Sequence, residues 1–87
     1  MKRRIFKYTL TLQEYQTLNL PRNAEIITFR SQLGKLTIWA IVNTELDYVP
    51  REFQIVGTGE DFVIANRKYI GTAEQGSFVW HLFEVIK

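Results

Sequence analysis

The residues that could do chemistry in this sequence are few. His81 is the single histidine and cysteine is absent. A protein metal site would therefore rest on His81 and carboxylates alone, and none of the zinc-ligand spacings occurs. His81 shares a strand face with Val79 and Phe83, so it reads as a half-buried, hydrogen-bonded histidine, the rival reading being one that faces a ligand. As a base for a serine or threonine nucleophile it lacks the strand-turn-helix elbow that would present one. Glu60 and Asp61 are adjacent in sequence, so their side chains diverge and do not form an acid-base pair. The expectation is a protein that is not an enzyme and carries neither a metal nor a cofactor.

Binding chemistry has better candidates. Gly57-Thr58-Gly59 offers bare backbone amides that could approach an anion closely. No Lys-Ser follows and no helix opens there, so the P-loop and dinucleotide fingerprints fail, and the bland reading is a corner that ends a strand. Arg51 is the sole base in the acidic stretch of Glu45, Asp47, Glu52, Glu60 and Asp61. Its planar fork suits a carboxylate or phosphate, and the competing reading pairs it with Glu45, Asp47 or Glu52. With Thr72 beside Gly71, these segments are expected to gather at the ends of sheets, giving Arg51, Gly57, Thr58, Gly59 and Thr72 as ligand- or partner-binding residues, Arg51 first among them. Lys2, Arg3 and Arg4 are the nucleic-acid candidates, with Phe6 and Tyr8 interleaved behind them. Those two aromatics fall on the face that should be core, so a nucleic-acid partner is not the favoured reading.

Elements that could position these residues follow from two-residue alternation. A chain of 87 residues makes one domain, and a domain of this size buries only about 60 to 65% of its unfolded surface, so the core must be dense in large side chains. Hydrophobic residues make up 46% of the chain, which meets that need. Phe78, Trp80 and Leu82 point to one face of the last strand and Val79, Phe83 and Val85 to the other, so this strand should be central, with the Trp80 indole buried. Leu36 to Val42 is also apolar on both faces and should be central in its turn.

Half-buried alternation places further strands at Arg4 to Leu12, Tyr15 to Leu20, Ala24 to Ser31, Arg51 to Thr58 and Lys68 to Glu74, the last strand running from Ser77 to Ile86. Thr11-Leu-Gln-Glu14 fits a helical capping box, but Thr17, Asn19 and Pro21 favour a turn and a strand. Gly34 and Gln75-Gly76 signal hairpins. Asn43 to Pro50 reads as a polar loop, and Glu60 to Arg67 as an irregular connection anchored to the core by Phe62, Val63 and Ile64. About seven short antiparallel strands make an all-β domain, either a compact sandwich or a small barrel.

Net charge is +2, too small to announce a polyanion partner by itself. The longest apolar run in the middle, Ile38 to Val42, is far short of the roughly 20 residues a membrane helix needs. A soluble cytoplasmic protein is expected, with no membrane partner. Two strands that are apolar on both faces in so short a chain also suggest burial between copies, as a homo-oligomer.

Arg4-Ile-Phe-Lys-Tyr8, Leu20-Pro21, Ala24-Glu-Ile26, Trp39-Ala40, Arg51-Glu-Phe-Gln-Ile-Val-Gly-Thr-Gly59, Tyr69-Ile-Gly-Thr72 and Val79-Trp-His-Leu-Phe-Glu84 together resemble a family of small proteins of unknown function from bacteriophages and prophage-bearing bacterial genomes. The resemblance spans nearly the whole chain, outside Asn43 to Pro50 and Glu60 to Arg67, and implies a complete protein. It brings a setting but no residue roles. In that setting the expected function is a non-enzymatic accessory binding protein in the bacterial host cell, a counter-defence factor that occupies a host protein or sequesters a small ligand. The alternatives are a minor virion component or a nucleic-acid-binding module using the basic N-terminus.

Overall fold

The computed structural model describes residues 2–87. It contains seven strands: β1 (Arg4–Thr9), β2 (Tyr15–Pro21), β3 (Glu25–Gln32), β4 (Lys35–Val42), β5 (Tyr48–Gly57), β6 (Arg67–Gln75) and β7 (Phe78–Val85). They pair antiparallel in two sheets, one of order β1-β4-β3 and one of order β2-β5-β7-β6. The architecture is an open sandwich rather than a closed barrel. The two strands that are apolar on both faces, β4 and β7, are both internal, as that pattern requires.

Packing between the sheets follows from strand alternation. Leu36, Ile38, Ala40 and Val42 of β4 point inward and meet Phe53 and Ile55 of β5, Leu82 of β7, Ala73 of β6 and Phe29 of β3. Phe6 and Tyr8 of β1 turn to the same core. At one side β3 lies against β6, where Gly71 leaves room for the Phe29 side chain: a Cβ there would stand 3.3 Å from Phe29 Cβ. Trp80 is only half-buried, packed on the core edge with its Nε1 donating to Gln75 Oε1 at 3.0 Å.

Several boundaries differ from the sequence reading, each for a local reason. β1 ends at Thr9, and Leu10 then folds into the core while Leu12 is 66% exposed. The Gln16 side chain holds the turn that follows: Nε2 donates to the carbonyls of Thr11 and Gln13, and Oε1 accepts from Thr11 N. This clamp satisfies the Thr11 N–H that Glu14 would have accepted in a capping box, and no helix forms. β5 begins at Tyr48, so Pro50 lies inside a strand rather than in a loop. β7 pairs only with Phe53 to Gly57, leaving β5 a neighbour on one side alone at Pro50, which is where a missing N–H is tolerated.

The β6–β7 turn is Gly76-Ser77, glycine first, because Gln75 and Phe78 are already paired. Gly76 has φ of 60° there, as a type II′ turn requires. In the β3–β4 turn both Leu33 and Gly34 have positive φ, of 52° and 77°. The connection from β5 to β6 is irregular as expected, but Val63 and Ile64 do not anchor it, being 68% and 63% exposed. Phe62 alone reaches back, and it lies on the outer face of sheet β2-β5-β7-β6 against Phe83 rather than in the core.

Candidate functional site

On that outer face, Val56 stands opposite His81 on β7, and Thr72 of β6 stands opposite His81 on the other side. The chain leaves β5 at Gly57 and turns at Thr58-Gly59, with Gly59 at φ 91°. Glu60 closes the turn twice: its N–H donates to Gly57 O at 3.0 Å, and its Oε1 accepts from Gly57 N at 2.6 Å. This places Thr58 beside the imidazole, with Thr58 Oγ1 and His81 Nε2 2.7 Å apart. The other ring nitrogen, Nδ1, is 2.9 Å from Thr72 Oγ1, which is hydrogen-bonded in turn to the Tyr69 hydroxyl. A hydroxyl can donate or accept, so the pair of threonines satisfies either tautomer of the ring while fixing its plane.

The ring forms one wall of an open concavity of about 290 Å³. Val56, Phe62 and Phe83 supply its apolar floor, and the turn Gly57 to Glu60 supplies its rim. Phe83 is held by Phe62 at 5.0 Å and by Tyr69 at 5.6 Å between ring centroids. One carboxylate, one hydroxyl and one imidazole around an apolar floor suit a small body with a flat apolar part and one or two polar groups. Among the described residues no three histidine, aspartate or glutamate side chains stand close enough together to hold a metal ion.

Four of the sequence-predicted binding residues, Gly57, Thr58, Gly59 and Thr72, are thus joined around one imidazole. Arg51 is not with them. It points inward at the opposite end of β5, where Nε and Nη2 donate to the two Glu84 oxygens at 2.7 Å each and Nη1 donates to Ala24 O at 2.6 Å. Its partner is neither Glu45, Asp47 nor Glu52, since Asp47 pairs with Arg22 and Glu52 with Lys87. Two arms of the fork join β5 to its neighbour β7 within one sheet, and the third reaches Ala24 just before β3 of the other. Lys2, Arg3 and Arg4 are exposed, and Phe6 and Tyr8 behind them face the core, so the arm has no stacking partners of its own.

Sequence reasoning singled out His81 and Thr72 separately but did not join them. Placing the turn one residue early would set His81 opposite Ile70, whereas the true turn sets it opposite Thr72. The signal was available in the preference of glycine for the first position of a II′ turn.

An antiparallel two-sheet sandwich with a histidine-walled concavity on one outer face describes the class of protein. The chain belongs to a family described only as a domain of unknown function (DUF7352), whose pattern covers residues 1–87. No curated protein and no solved structure matches it.

Proposed function

We propose that this protein is a non-enzymatic binding protein whose ligand site is the concavity walled by His81. The observation that carries the reading is the fixing of the imidazole at both nitrogens by Thr58 and Thr72 beside an apolar floor, which preorganises a binding surface. The fitting ligand is a small heteroaromatic or similarly flat molecule, or such a side chain of a partner protein, with a donor group for the Glu60 carboxylate. A setting in bacteriophages or prophages, which the sequence resemblance implies, makes this an accessory factor of the host cytoplasm that sequesters a small ligand or occupies a host protein.

Native mass spectrometry of the protein after incubation with bacterial lysate tests the reading. The expected result is a mass increase from a small ligand or captured protein, weakened at least about tenfold, or ~1.4 kcal/mol, in Thr58→Val and in His81→Phe. Both variants should keep the wild-type circular dichroism spectrum. Recovery of the bare chain alone, or undiminished binding by both variants, overturns it.

A further inference from the structure

The opposite outer face, on sheet β1-β4-β3, differs in character. Of the protein's 11 basic and 9 acidic residues, Lys7, Arg30 and Lys35 stand on this face and Lys2, Arg3 and Arg4 lead into it, while Glu25 is the only acid on the three strands. The remaining acids lie on the other sheet and the loops. Strands β1, β4 and β3 thus carry four bases against one acid, whereas the other sheet carries three of each, so the small net charge conceals one basic sheet.

Trp39 sits at the middle of this face, with Lys7 directly across on β1 and Thr28 across on β3. The Arg30 guanidinium lies over the indole at 5.9 Å from the ring centroid. Lys7 Nζ reaches across β4 to Gln32 Oε1 at 2.9 Å. Ile41 continues the apolar strip, flanked by Ile5, which is 61% exposed, and Ile27 at 44% exposure extends it on β3. The result is a flat strip of one indole and aliphatic side chains with Lys7 and Arg30 around the indole and Glu25 across from Ile41.

We infer that this face binds single-stranded nucleic acid, laying bases on Trp39 and the adjoining isoleucines while Lys7, Arg30, Lys35 and the N-terminal cations hold phosphates. A base can replace the Arg30 guanidinium on the indole, and the freed guanidinium then meets a phosphate. A duplex is disfavoured because a flat sheet presents no element to enter a groove. A symmetric pairing of two copies through this face would oppose like charges. The inference concerns a surface separate from the His81 concavity and does not depend on it.

Fluorescence anisotropy of the full chain with labelled oligothymidylate of about fifteen nucleotides tests it. Binding should weaken with salt between about 50 and 200 mM, and Lys7→Gln and Arg30→Gln should each reduce the slope of log K against log salt by about 0.7. Both side chains are exposed, so neither replacement threatens the fold. Trp39→Leu should weaken binding at least about fivefold. In Trp80→Phe, which leaves Trp39 as the single indole, the oligonucleotide should quench the fluorescence. Thr58→Val should bind it normally. Absence of binding at low salt, or binding unaffected by Lys7→Gln and Arg30→Gln, overturns the inference. So does a preference for polyglutamate or phosphatidylserine vesicles over the oligonucleotide, which would assign the face to an acidic protein or a membrane.

Discussion

Arg51→Met is the replacement from which the most can be learned about the fold. The side chains of Arg51 and Glu84 are 20% and 11% exposed, so the pair is largely withdrawn from water and Met leaves Glu84 charged with no cation against it. Breaking such a pair costs about 3 to 5 kcal/mol when burial is complete, and the residual exposure here places the cost near the lower value. A domain of this length holds roughly 4 to 13 kcal/mol in total. The expected loss of about 3 kcal/mol should lower the melting temperature by roughly 12 to 24 °C. Urea unfolding followed by tryptophan fluorescence and by circular dichroism measures it. Arg51→Met/Glu84→Leu, which removes both charges, should recover most of the loss, because an apolar pair of similar size avoids the desolvation cost. A melting temperature for Arg51→Met within about 4 °C of wild type, or a double variant as unstable as the single losses summed, would refute the account of this pair as a buried tie between β5 and β7.

Four further outcomes are expected. Gly71→Ala should cost about 1 to 2 kcal/mol in the same urea assay, because its Cβ would press on Phe29 Cβ, which cannot swing away. Among the described residues the buried Tyr8 hydroxyl has no hydrogen-bond partner, and burial pushes its ionisation above 10.0, with Tyr48 adding to the rise. Tyr8→Phe should therefore leave stability unchanged or raise it by about 1 kcal/mol, and a loss of that size would show a missed partner. The side-chain hydrogen bond from Arg22 holds the Asp47 carboxyl below 3.8, so its support of the fold is complete above that pH and is lost as pH falls through the lowered value; carboxyl NMR should show this low midpoint in wild type and a return towards 3.8 in Arg22→Ala. Sedimentation at tens of micromolar should give more than one chain's mass, reduced by Ile64→Ser in the exposed Val63-Ile64 segment, and a single-chain mass would end the expectation of self-association.

What could be read from the sequence was whatever two-residue alternation and turn chemistry encode. β4 and β7 were legible as internal strands from their apolar residues on both faces, although the outer faces of both remain open to solvent. The glycine at position 34 announced its hairpin, although Leu33 joining it at positive φ was not visible. Val63 and Ile64 misled because composition alone suggests burial, whereas the connection has no strand partner to carry it inward. Arg51 misled for a different reason: its partner lies 33 positions away, and pairing at that distance depends on the order of strands in a sheet. The Thr58, His81 and Thr72 grouping depends on registers in two ladders at once.

The place of β7 between β5 and β6 bears on how the protein is made. A ribosome delivers β2 well before β5, its one strand partner, and β5 and β6 are joined only through β7. At about 5 to 20 residues per second, Tyr15 waits some 4 to 14 s before Val85 has been added. During that interval Phe53 and Ile55 have no Leu82 to pack against, and a nascent chain stalled before Phe78 displays them to chaperones and proteases. The seven strands are therefore completed as a unit only by the arrival of a single eight-residue strand.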